Sequence, residues 1–286
     1  MRSTNKTIPY SIWFQAIRPK TLIASISPVL IGLSFAIKVH SFSFFYAILT
    51  LLVALGIQIT ANLANDYFDY EKGADTIHRK GPIRVTQAGL ISPEKIKKAV
   101  LVTVLLTSLL SSFLILRGGT LVAVLSSISI LLALGYTTGP FPLAYLGLGD
   151  LFVLFFFGPI ATCGTYFLQT GALSFNALAA GLGCGLLSTA ILTVNNVRDI
   201  EEDRKAHKKT LSVRFGKKFG QWEYTLAILF APLPACLFGH FLPLLMLPLA
   251  IPLIRTIWKD ESPQTQNLLL ARTAGLLGVY TVLVII

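Results

Sequence analysis

The stretch FFYAILTLLVALGIQITANLANDYFDYEKGAD, residues 44–75, decides how this chain folds. From Phe44 to Asn65 it contains no Asp, Glu, Lys or Arg, enough for one helical crossing of a bilayer, which needs about 20 apolar residues. It then ends in Asp66, Asp69, Glu71 and Asp75. A helix that is apolar along its length and acidic only at one end is a membrane span whose last turns reach water. A second passage of this kind lies downstream, where the apolar run 174–196 leads into NNVRDIEEDRKAHKKTL, starting at Asn195 and carrying Asp199, Glu201, Glu202 and Asp203. These clusters hold eight of the 13 acidic residues in the chain, and no acid precedes Asp66 or separates Asp150 from Asp199.

Composition agrees with a bilayer environment. Hydrophobic residues make up 54% of the 286 and charged residues 13%, with a mean hydropathy of +0.71; soluble domains carry roughly 25% charged residues. Cys163, Cys184 and Cys236 lie in apolar stretches without metal-ligand spacing and read as small core residues. No cleavable signal peptide is expected, because the first apolar run is flanked by polar residues and broken by Pro28. A net charge of +11 would suggest nucleic acid for a soluble protein. In a membrane protein it reports loops that face anionic lipid, and no nucleic-acid partner is expected.

The expected fold is all-α, a polytopic bundle of nine transmembrane helices in one domain over 1–286. The spans read as 21–38, 44–64, 99–116, 119–136, 150–168, 174–196, 222–239, 241–257 and 267–286. The joins near Arg117-Gly118-Gly119 and at Gly239-His240 are so short that their flanking spans must be antiparallel hairpins. One set of alternate loops holds only Lys38 and Arg117, while the N-terminus and the other loops hold nearly all remaining Lys and Arg. The positive-inside rule then predicts a cytoplasmic N-terminus and cytoplasmic acidic clusters in the cell's inner membrane. Each cluster follows an apolar helix, opens with Asn and leads into a basic loop, so 62–98 and 195–221 read as pseudo-repeated segments.

Spacing predicts which side chains converge. Asn62, Asp66 and Asp69 step by four and three, and Asn195, Asp199 and Asp203 by four, so each set shares a helix face. Carboxylates stacked this way repel unless a cation sits among them. Mg²⁺ suits the position because it takes one or two carboxylates together with phosphate oxygens and water. Arg79, Lys80 and Arg84 beside the first cluster, and Arg204, Lys208 and Lys209 beside the second, offer charge for the rest of a diphosphate. A single acidic helix end followed by basic residues is ordinarily a solvated cap; two matched ones in a chain so poor in acids favour a site. His40, His78, His207 and His240 are scattered, which argues against zinc. A prenyl diphosphate has a head for such a site and an apolar tail for the bundle. A metal makes diphosphate a better leaving group, and some of the 19 Phe and nine Tyr can face the allyl cation. A transporter would need acids near mid-span; none is there, and Arg272, near the start of the last span, can snorkel.

At these residues the chain resembles the UbiA superfamily of intramembrane aromatic prenyltransferases, which pairs an N-D-x-x-D motif with a D-x-x-x-D motif. Here they stand as Asn65-Asp66-Tyr67-Phe68-Asp69 and Asp199-Ile200-Glu201-Glu202-Asp203. The resemblance covers most of the chain. Arg18-Pro19-Lys20-Thr21-Leu22, GPIRVTQAGLISP (81–93), YTTGP with YLGLGD (136–150) and both motif segments are similar to the branch that prenylates 1,4-dihydroxy-2-naphthoate. It implies transfer of a polyprenyl group from its diphosphate to that aromatic acid, with loss of the ring carboxylate, giving demethylmenaquinone; 4-hydroxybenzoate, homogentisate and haem are the acceptors of other branches. It implies Mg²⁺ and diphosphate ligation by Asn65, Asp66, Asp69, Asn195, Asp199 and Asp203; charge and position, rather than the resemblance, make Arg84, Arg198 and Lys209 the electrostatic partners for phosphate or the acceptor's carboxylate. Five residues separate Asp69 from Asp75 where many members have three before their third Asp, and His207 stands where a small residue is usual. Positions 62, 65, 66 and 69 cannot all point one way on a regular helix, so an unwound end is expected, with Asn62 and Asn65 both open as the ligand. The turn ending at Asp150 is either a support for the site or the N-cap of the fifth span.

Overall fold

A computed structural model gives the fold, described over residues 8–74, 80–139, 142–259 and 262–286. The helices are α1 (Tyr10–Ile17), α2 (Pro19–Lys38), α3 (Phe44–Glu71), α4 (Pro93–Gly135), α5 (Leu143–Leu146), α6 (Gly149–Phe155), α7 (Ala161–Thr170), α8 (Phe175–Arg198), α9 (Ile200–Lys205), α10 (Leu211–Phe215), α11 (Lys217–Phe230), α12 (Leu233–Cys236), α13 (Leu247–Lys259) and α14 (Pro263–Ile285). Among the described residues there is no strand, and seven helical stretches are long and apolar enough to cross a membrane.

Two further crossings complete the nine expected from sequence. Gly119 takes φ 63°, ψ −150° in the middle of α4, a conformation open to glycine, and folds the 43-residue element back on itself. Its two arms lie side by side: Leu134 from the second arm packs in the same cluster as Ile96 and Val100 from the first, and Leu114 and Val122 pair at the bend. The other crossing is made by α11 and α12 together. Gly220 lies against Val197, while the turn after α12 reaches Ser174 at the opposite end of α8.

The fifth crossing departs from a simple span. Between α6 and α7 the chain makes a π-helical turn, Phe156–Ile160, with Gly158 at φ −126°, ψ −110°. Pro159 offers no backbone N–H, and Gly158 packs directly on Gly181 and Gly185 of α8, so any Cβ there would collide with backbone. Close approach through small residues is how membrane helices pack. It makes α8 the most enclosed span, with 78% of its apolar window buried, in a core shared with α2, α11, α13 and α14. The alternation brings the C-terminal ends of α3 and α8 to one face of the bundle. The loop at 80–91 lies over that face and buries Val85 and Ile91 against α3 and α4.

Candidate active site

The first motif stands on unbroken helix, since α3 continues regularly to Glu71. Its polar side chains therefore fan out, and the expected unwinding is not there. Asn62 turns toward the α1–α2 junction, its Nδ2 donating to the Ile17 carbonyl at 2.8 Å and Thr21 Oγ1 at 3.0 Å while its Oδ1 accepts from Gln58. Asn65 faces the bundle interior and accepts from the Thr137 hydroxyl at 2.5 Å. Asp66, 1% exposed, accepts the backbone N–H of Val85 at 3.2 Å and of Thr86 at 3.0 Å, so it holds the 80–91 loop. Asp69, 2% exposed, accepts from Arg84 Nη2 at 3.1 Å and lies 3.2 Å from Lys208 Nζ.

The second motif crosses a helix break. Asp199 ends α8 with φ −98°, ψ 12°, and α9 starts at Ile200. The expected row nonetheless survives in the backbone: Asp199 N–H donates to the Asn195 carbonyl and Asp203 N–H to that of Asp199, at 2.9 and 2.8 Å. Arg198 grips the neighbouring carboxylate with a fork, Nε and Nη2 donating to Asp199 at 2.6 and 2.7 Å, and also donates to Asn195 and Asn267. Glu202 accepts the Lys80 backbone N–H at 2.7 Å, and Asn267 Nδ2 donates to the Lys80 carbonyl. Glu201 pairs with Arg204 in solvent.

Lys208 joins the motifs. Its ammonium lies 3.2 Å from Asp69 and 3.8 Å from Asp203, with both carboxylates largely buried. Opposed acids from two helices thus meet across one positive charge, the condition expected of a cation site. Among the described residues no three His, Cys, Asp or Glu side chains gather into a metal cage. The donor set fits Mg²⁺ in its phosphate-bound mode, with one carboxylate from each helix and the remaining positions left to diphosphate and water.

Below the carboxylates a cavity of about 330 Å³ runs into the bundle. Asn65 and Asn195 line it together with apolar side chains such as Val53, Ile57, Leu125 and Phe156. Tyr136 also lines it.

Asp150 is not the helix cap: Leu148 takes that position without a side-chain bond, and the Asp150 carboxylate accepts from Asn196 at 3.1 Å. Lys80 contributes through its backbone, and Lys209 is exposed. Arg79 and Asp75 lie outside the described residues. Thr137, Lys72 and Asn267 belong to the site without having been singled out by spacing. Lys72 donates to the Thr137 carbonyl and sits 4.3 Å from the Tyr145 ring centre. Thr137 lies inside YTTGP, a segment similar to the family, whereas Asn267 comes from α14 with no local signal.

The sequence profile described as the UbiA prenyltransferase family matches residues 25–274. The chain is 34% identical to 1,4-dihydroxy-2-naphthoate octaprenyltransferase of Haemophilus influenzae, covering 91% of this chain and 90% of that protein. It is 32% identical to the human UbiA prenyltransferase domain-containing protein 1, covering 95% and 82%. In fold it is similar to a UbiA homolog from Archaeoglobus fulgidus bound to DMAPP and Mg²⁺, with a TM-score of 0.64, 16% identity and coverage of 95% and 97%. The apo UbiA homolog from Aeropyrum pernix K1 superposes with a TM-score of 0.67 at 17% identity, covering 95% and 98%. A family profile spanning nearly the whole chain, relatives above 30% identity and the same bundle all agree: the protein belongs to the UbiA prenyltransferase family.

Proposed function

We propose that this protein transfers a polyprenyl group from polyprenyl diphosphate to 1,4-dihydroxy-2-naphthoate, with loss of the ring carboxylate, to give the hydroquinone form of demethylmenaquinone. The observation that carries the chemistry is the meeting of Asp69 and Asp203 around one ammonium at the mouth of an apolar cavity. The acceptor rests on the name of relatives that align over nine-tenths of the chain, such as that of Haemophilus influenzae.

In this reading Asp69 and Asp203, with Asn65 and Asn195 beneath them, hold Mg²⁺ and the diphosphate head. Mg²⁺ when bound withdraws charge from the diphosphate and makes it a better leaving group. Lys208 and Arg84 supply positive charge to the departing diphosphate oxygens. The apolar cavity takes the isoprenoid tail and keeps water from the allylic carbon. The ring carbon that bears the carboxylate forms the new bond to that carbon as the allylic C–O bond breaks; CO₂ then leaves and aromaticity returns. Arg198 commits its guanidinium to Asp199, Asn195 and Asn267, so it acts by positioning, and Arg84 becomes the first candidate to orient the acceptor's carboxylate. The basic loops on the acidic face support its placement on the cytoplasmic side of the cell's inner membrane.

The test is turnover with naphthoate labelled at its carboxylate. Labelled CO₂ released in step with the hydroquinone form of demethylmenaquinone supports the reading. Product that keeps the label, or turnover with 4-hydroxybenzoate alone, moves the protein to another branch of the family.

A further inference from the structure

A second cavity, about 250 Å³, opens on the face opposite the acidic motifs, where the end of α2, α7, the start of α8 and the turn at 238–240 meet. One wall is a ladder of rings. Lys38 Nζ stands 5.6 Å from the Phe35 ring centre, Phe35 packs edge-on to Phe238 at 5.8 Å, and Phe238 stacks on the His240 imidazole at 6.0 Å with planes 7° apart. His240 Nε2 lies 2.8 Å from the Leu283 carbonyl oxygen. A carbonyl only accepts, so Nε2 carries the proton. Tyr166 also lines the cavity; it is 9% exposed, and its hydroxyl bonds to no described residue. Asn176, in the first turn of α8, adds a carboxamide.

The charge balance at this cavity is one-sided. No Asp or Glu lines it, and the turns on this face, 39–43, 117–119, 171–174 and 238–241, contain no acid. The other cation of the face, Arg117, is committed elsewhere: it donates to the Leu168 carbonyl at 3.2 Å and stacks 5.3 Å from the Tyr46 ring centre. Lys38 therefore faces the cavity with no Asp or Glu side chain among the lining residues to neutralise it. An ammonium, a phenol hydroxyl and a carboxamide around one small cavity form a donor set for anionic oxygens, beside an imidazole whose N–H is already given to Leu283. The cavity also lies where the spans end, the depth of lipid headgroups, with exposed Val39, Leu173 and Phe175 beside it.

We infer that this cavity binds a phosphate-bearing anion, either the phosphodiester of an anionic phospholipid or free phosphate. It shares no lining residue with the prenyl cavity, so the inference stands apart from the reaction assigned above.

Two measurements on the full chain separate the sources. Native mass spectrometry of protein released from mixed phosphatidylglycerol and phosphatidylcholine nanodiscs reads bound lipid. Thermal unfolding in detergent, with rising inorganic phosphate at matched ionic strength, reads free phosphate. For the lipid source, the wild type retains phosphatidylglycerol over phosphatidylcholine by about tenfold. Lys38→Gln and Tyr166→Phe each cut that preference at least about threefold, whereas Lys218→Gln on the acidic face leaves it unchanged. For the free-phosphate source, phosphate raises the melting temperature of the wild type and of Lys218→Gln but not of the two cavity variants, without lipid preference. Lys38 is exposed and Tyr166→Phe keeps the ring, so both variants fold, and their prenyl transfer stays at the wild-type rate. If Lys38→Gln and Tyr166→Phe match the wild type in both measurements, the inference is overturned.

Discussion

The two acidic motifs have similar sequences and opposite local constructions. The first lies on an intact helix and takes its geometry from a distant loop, through the N–H groups of Val85 and Thr86 on Asp66 and the guanidinium of Arg84 on Asp69. The second lies across a helix break and takes its geometry from its own neighbour, with Arg198 forking onto Asp199. Each motif thus commits one Asp to its own scaffold, Asp66 or Asp199, and turns the other, Asp69 or Asp203, toward Lys208. The spacing of acids on a helix states which side chains can share a face, but their partners decide which way each carboxylate turns.

This contrast predicts a graded series of losses. Asp69→Asn and Asp203→Asn should each lower turnover by at least about tenfold, equivalent to about 1.4 kcal/mol in barrier, and should raise the Mg²⁺ concentration needed for half-activity. EDTA should abolish turnover and added Mg²⁺ should restore it; full activity in chelator would refute the site. Asp199→Asn strikes the scaffold instead. It leaves Arg198 buried without its charged partner, a loss of about 3–5 kcal/mol in buried pairs, so its melting temperature should fall further than that of Asp203→Asn. Equal melting temperatures would erase the distinction between scaffold and ligand acids.

Asp66→Asn keeps one acceptor oxygen and loses the other, at a cost of about 1.5–3 kcal/mol for a charge-assisted bond. Hydrogen exchange should quicken at Val85 and Thr86, while the Mg²⁺ requirement changes less than in Asp69→Asn. Unchanged exchange at those two amides would show that the loop does not depend on Asp66. The smallest effect belongs to Glu201→Gln: its partner Arg204 is 57% exposed and Glu201 61%, so stability should shift by no more than about 0.5 kcal/mol and activity hardly at all.

Much of this was legible in the sequence because bilayer physics is severe. Apolar run length gave the nine crossings, and the glycine-bearing joins gave the hairpins. The sparse acids marked the end of the bundle where the site lies. What the sequence hid were interactions whose partners are far apart in the chain or break a local rule. The π-turn at Gly158 reflects contact with Gly181 and Gly185 in another span, which no periodicity within 150–168 reveals. Asp150 resembled a cap by position, yet bonds to Asn196 across the bundle. Asn62 shares a helical face with Asp66 but is saturated by Ile17, Thr21 and Gln58, partners set by how α1 and α2 meet.

Asn267 ties these matters to the order of synthesis. From the start of α14 it accepts from Arg198 and donates to the Lys80 carbonyl, so the last helix fastens pieces translated long before it. Ribosomes deliver both acidic motifs before Asn267, so this fastening waits until α14 enters the bilayer. A chain released before α14 lacks the contact that draws Arg198 and the 80–91 loop together.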